Sequence, residues 1–138
     1  MRTKVPIATV LSGLLLAAIP VWAHHSFAAE FDISKPVKLT GKVTRMEWVN
    51  PHAWIHIDVP TSDGKVESWM VEGGSPNILL RRGFTKESLE IGTELTVEGY
   101  RAKNGLNRAN GSNITFKDGR RIFLGGSNPD DPDNKGKK

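Results

Sequence analysis

Residues 53–72 constrain the fold of this chain more than any other stretch. Ala53, Ile55, Ile57 and Val59 alternate with Trp54, His56 and Asp58, the period-two pattern of a half-buried strand. Thr61-Ser62-Asp63-Gly64 then reads as a hairpin turn, because an Asp-Gly pair tolerates positive φ, and Val66 to Glu72 supplies the returning strand. Upstream, apolar residues fall at Val37, Leu39 and Val43 and then at Met46 and Trp48. That change of phase predicts one long strand, Val37 to Trp48, with a bulge or bend. Asn50-Pro51 marks the turn that follows it.

Downstream, Gly73-Gly74-Ser75-Pro76 breaks the sheet and opens a helix. Ser75 is placed to accept from the free N–H groups, and Pro76 sits at the first helical position, where its missing N–H costs nothing. Ile78, Leu79 and Leu80 are the helix's apolar residues, and Gly83 ends it. Thr85 caps a short turn through Leu89. A fourth strand spans Thr93 to Arg101, a fifth Asn107 to Phe116, and a short run Arg121 to Leu124 closes the series. Three strands, one helix and two or three more strands is the element order of an OB-fold, a small Greek-key barrel. The expected class is therefore all-β with one short helix, OB-fold-like, with a β-sandwich as the alternative. The lone helix between strands three and four favours the barrel.

Arg2 and Lys4 followed by the apolar run Val5 to Pro20 and by Val21-Trp22-Ala23 form an export signal, 1–23, cleaved after Ala23. An uncleaved anchor is the alternative, since the run approaches the roughly 20 residues a membrane helix needs. Of the 138 residues about 115 then remain, one domain's worth. The expected organisation is a 24–36 N-terminal segment, a 37–124 barrel and a 125–138 disordered tail of Gly, Ser, Asn, Pro, Asp and Lys. No Cys is present, so an exported domain rests on its hydrophobic core without disulfides. Without Arg2 and Lys4 the mature chain carries 17 basic against 15 acidic side chains. So small an excess argues against a nucleic-acid partner. The product is expected to be periplasmic or secreted, off the membrane after cleavage, and monomeric.

A set of motifs distributed along the chain carries a family resemblance. His24-His25-Ser26-Phe27-Ala28-Ala29-Glu30-Phe31-Asp32, Leu39-Thr40-Gly41, Trp48-Val49-Asn50-Pro51-His52-Ala53-Trp54-Ile55, Gly74-Ser75-Pro76, Leu80-Arg81-Arg82-Gly83 and Gly99-Tyr100-Arg101-Ala102-Lys103 resemble a family of small exported bacterial proteins, domain-of-unknown-function family 6152. The resemblance covers residues 24 to about 124. It implies an export signal and a small β-barrel, and no activity, ligand or catalytic residue.

All four histidines fall in two pairs, His24 with His25 and His52 with His56. Cleavage after Ala23 makes His24 the first residue, and a terminal His chelates a divalent transition metal through its amine and its own ring, an arrangement that suits Cu(II) once another imidazole joins. His52 and His56 stand four residues apart, about 13 Å in a regular strand. Two imidazoles at that separation scarcely share an ion with bonds of about 2 Å. His52, in the turn after Asn50-Pro51, is the expected partner, His56 the reserve, and Glu30 or Asp32 a possible oxygen ligand. The bland alternative is a polar barrel face with frayed terminal histidines.

The competing function is a non-metal module that holds a glycan or a periplasmic partner protein on the Trp54 face. Trp48 and Trp69 are expected in the core. Gly73-Gly74-Ser75 reads as a capped helix start more readily than as an anion site. Arg101, Lys103, Arg108, Lys117, Arg120 and Arg121 read as a solvated face rather than a surface for an acidic partner. Asn110-Gly111-Ser112 and Asn113-Ile114-Thr115 match the glycosylation pattern, which is common by chance. No element places a Ser beside a base, so the chain is expected to be no enzyme.

Overall fold

The computed structural model describes residues 27–132. The expected export signal and cleavage point, and His24 and His25, lie outside the described residues. A single turn of helix, α1 (Phe27–Glu30), runs directly into β1 (Phe31–Glu47), which is followed by β2 (Trp54–Pro60), β3 (Val66–Glu72), helix α2 (Pro76–Arg81), a 3-10 turn (Lys86–Ser88), β4 (Glu94–Ala102), β5 (Arg108–Phe116) and β6 (Arg121–Phe123).

The strands are hydrogen-bonded in the order β3-β2-β1-β4-β5-β6, and an additional pairing of β3 with β5 closes the ring. That closing pair is parallel, while the other pairs are antiparallel. The result is an all-β barrel with α2 between β3 and β4, the OB order. β1 serves both sides of the closure: its first part pairs with β4 and its last part with β2. The register shifts between Val43 and Arg45, where the sequence changes phase. The core takes Val43, Ile55, Ile57, Trp69, Val71, Leu79, Phe84, Val97, Ile114 and Leu124, with Trp48 packed against it and stacked on Phe84. Ser75 caps α2 by accepting from the Ile78 N–H, as the Ser-Pro pair requires.

Two boundaries differ from the sequence expectation. Residues 31–36 are not a separate N-terminal segment but the start of β1, which Phe31 ties to Ala102. Residues 125–132 are not a loose tail. Asn128 and Asp131 are buried, and the stretch Ser127–Asp131, here called the strap, lies across the outside of β5. The expectation counted only apolar side chains, whereas this stretch is held by hydrogen bonds. Asn128 donates to Asn110 Oδ1 (2.8 Å) and Ser112 Oγ (2.7 Å), Tyr100 donates to Asp130 Oδ2 (2.7 Å), and Arg82 pairs with Asp131 (2.9 Å). Polar groups can be buried when they are paired in this way.

Candidate polar pocket on the β2–β3 face

Outward positions of β2 and β3 carry Trp54, His56, Met70 and Glu72, because their neighbours Ile55, Ile57, Trp69 and Val71 point into the core. Three segments build over one end of this face. The turn between β1 and β2, with a cis Asn50–Pro51 peptide, brings His52. The hairpin between β4 and β5 leads into Arg108. Helix α1 is pinned across the mouth by Phe27 edge-on to Tyr100 (5.4 Å), by the Lys103 ammonium on the Ala28 carbonyl, and by the Lys103 N–H on the Glu30 carbonyl (2.9 Å). Between them lies a cavity of about 190 Å³ whose walls include Phe27, Glu30, His52, Trp54, Glu72 and Arg108. It sits beside the two loops, β1–β2 and β4–β5, with which OB barrels hold their ligands.

Glu72 is the centre of this pocket. It faces outward on β3 yet is only 4 % exposed, and that burial pushes its carboxyl above the ordinary value, with Glu30 adding to the rise and His52, Arg108 and Asn110 opposing it. Asn110 donates to Glu72 Oε1 at 3.2 Å. His52 Nδ1 lies 3.8 Å from the same oxygen, too far for a hydrogen bond, and this buried nitrogen finds no hydrogen-bond partner among the described residues. Arg108 reaches Glu30 at 3.3 Å, lays its guanidinium 4.5 Å from the Trp54 ring centroid, and leaves its Nε buried without a hydrogen-bond partner among the described residues.

His56 is not in the cavity wall. It stands beside Glu47 (Nε2 to Oε2, 3.5 Å), which Arg45 holds, and opposes Met70 across the sheet. Of the two acids named as possible oxygen ligands, Glu30 lines the cavity. Asp32 is instead engaged by the Ser34 hydroxyl and N–H and by Lys35, contacts that hold its carboxyl below the usual carboxylate range. The basic residues of the later hairpins are each matched locally: Arg101 with Gly105, Leu106 and Asn107, Lys103 with Ala28, Arg108 with Glu30, Lys117 with Glu94, Arg120 with Asp118 and Arg121 with Glu98. Asn110 is fully buried and cannot accept a glycan in the folded chain.

Sequence reasoning missed Glu72, Arg108 and the strap. Glu72 and Arg108 begin or end strands at outward positions, where charged residues are ordinary. Asn128-Pro129 was the one available signal, since an Asn before Pro favours a turn in which its side chain accepts a nearby N–H. It does so here from Asp130 at 2.8 Å.

Among the described residues, no group of three or more His, Asp and Glu side chains stands ready to hold a metal by itself. No curated protein matches the chain. A model for a family of unknown function, DUF6152, matches residues 11–112, and the chain belongs to that family.

Proposed function

We propose that this is an exported periplasmic binding protein that takes a divalent transition metal, Cu(II) in the first instance, in the pocket of His52 and Glu72. The observation that carries the reading is the buried Nδ1 of His52, which has no hydrogen-bond partner among the described residues and faces a carboxylate oxygen 3.8 Å away in a cavity that Phe27 also lines. A buried nitrogen left unsatisfied costs free energy unless something engages it, and an imidazole nitrogen beside a carboxylate is half of a metal site. The amine and ring of His24 supply the other half. His24 is three residues before Phe27, itself part of the cavity wall, and three residues span at most roughly 10 Å. A set of nitrogen donors with one oxygen and no thiolate favours Cu(II) over Ni(II) and Zn(II). The glycan reading fits less well: Arg108 occupies one face of the Trp54 ring, and 190 Å³ is below the roughly 300 Å³ at which small-molecule pockets begin.

The test is calorimetric titration of the mature protein, 24–138, with Cu(II). His52→Ala, and an Ala placed before His24, should each weaken binding by at least about tenfold, since losing even an outer-shell partner commonly does so. His56→Ala should have little effect. Equal affinity for the wild type and the Ala-extended protein would sink the proposal and return the pocket to the partner-protein reading.

A further inference from the structure

The strap reaches the pocket through a chain of side-chain amides whose directions are all determined. It begins at the backbone N–H of Asp130, which can only donate and does so to Asn128 Oδ1 at 2.8 Å. The amide nitrogen of Asn128 must therefore be the end that faces Asn110, 2.8 Å from its Oδ1, with Ser112 Oγ at 2.7 Å. Asn110 is thereby turned with its oxygen toward the strap and its nitrogen toward Glu72 Oε1 and Ser127 Oγ. An amide offers acceptors at one end and donors at the other, so fixing one end fixes what the other presents. Asn110 and Asn128 are both fully buried, which keeps solvent from restoring a wrongly turned amide.

We infer that Asn128 is a positioning residue for the pocket, acting through Asn110 to ensure that Glu72 meets a donor and stands as an acceptor beside His52. The pocket is thus set from the far end of the chain, by a residue that does not line it. The inference rests on the metal reading only for its consequence on affinity; the relay itself is tested without metal.

Asn128→Asp keeps the shape and the bond from Asp130 but removes the donor. The new carboxylate needs Asn110 to turn its nitrogen outward, which points the Asn110 oxygen at Glu72, acceptor against acceptor. In the full mature protein this should lower the melting temperature by several degrees. Glu72→Gln in the same chain should recover most of that loss, beyond whatever it gains in the otherwise wild-type chain, because a Gln can present its own amide nitrogen to the turned Asn110. Glu72→Met removes the same charge without offering a donor and should recover little. Recovery by Gln and not by Met supports the relay, and if Asn128→Asp alone fails to fold, folding of the Gln double variant but not of the Met one carries the same meaning. Equal recovery by Gln and Met would reduce the effect to charge repulsion, and recovery by neither would mean that Asn128 and Glu72 are uncoupled; either result overturns the inference. Asn128→Asp should also weaken Cu(II) binding, judged against Asp131→Asn, which loosens the strap at Arg82 and replaces none of the relay side chains. If the melting data hold while Cu(II) binding is absent in every variant, the metal reading fails and the relay stands.

Discussion

Replacing Asn128 by Ala gives the most direct measure of whether the last described residues belong to the folded domain. The side chain donates to Asn110 Oδ1 and Ser112 Oγ and accepts from Asp130 N. On truncation the two acceptors stay where they are, at 0 % and 5 % exposure, so water does not freely replace the lost donor. Stranding a buried neutral group costs about 1–3 kcal/mol. Ser112 keeps a contact with Asp130 Oδ2 at 3.5 Å and lies at the low end, whereas Asn110 Oδ1 loses the partner that holds it. A water admitted to the vacated space recovers part of the loss. The sum is about 2–4 kcal/mol, and for a domain of about 100 residues each kcal/mol moves the melting temperature by about 4 °C. Asn128→Ala should therefore melt roughly 8–16 °C below the wild type in a circular dichroism scan of residues 24–138. A change within about 1 °C would refute the reasoning, because a residue in a solvated tail has nothing to lose.

Two further outcomes follow from the pocket and the core beneath it. Burial raises the Glu72 pKa above its ordinary 4.5, so the folded chain holds that proton to higher pH than the unfolded chain does. Its favourable contribution is complete below pH 4.5 and is lost as pH rises through the folded value, so the stability of Glu72→Gln relative to wild type should grow as pH is raised from 4.5; a constant difference between their urea-denaturation midpoints would contradict the shift. A methyl group at Gly111 would meet the side chains of Leu124 and Val71, both fully buried, so Gly111→Ala should lower the urea midpoint by an amount equivalent to about 1–3 kcal/mol, and an unchanged midpoint would mean that the core yields there.

The barrel was legible because its information is local and periodic. The alternation from Ala53 to Val59 predicts both the strand and its inward face, the phase change after Val43 predicts the bulge, and Ser75-Pro76 predicts the start of α2. What was not legible depends on non-local contacts between side chains that look ordinary in sequence. Glu72 reads as a solvated strand residue until Ser127, fifty-five positions later, joins it in the wall of one cavity. Phe31 to Pro36 shows no alternation because only Phe31 meets the interior while Ile33 to Pro36 are exposed, so a pattern search starts the strand at Val37 instead.

The pocket's position has a physical cause in the topology. A closed barrel buries its inward face without help, and outward residues such as Trp54 and Glu72 stay wet unless another segment crosses them. In this chain both ends of the described structure do so: α1 crosses from the N-terminal side, tied by Phe27 to Tyr100 and by Glu30 to Arg108, and the strap crosses from the C-terminal side, tied by Asp130 to the same Tyr100. The phenol of Tyr100 thus holds one covering segment by its ring and the other by its hydroxyl. Its proton is held tightly by the Asp130 carboxylate, which raises its pKa above 10.0 and keeps the hydroxyl a donor across the neutral range. Glu72 owes its burial to this cover and not to the barrel core, since its side chain points away from Trp69 and Val71. The barrel strands alone would present Trp54 and Glu72 on an open, hydrated face, where the raised Glu72 pKa would not survive.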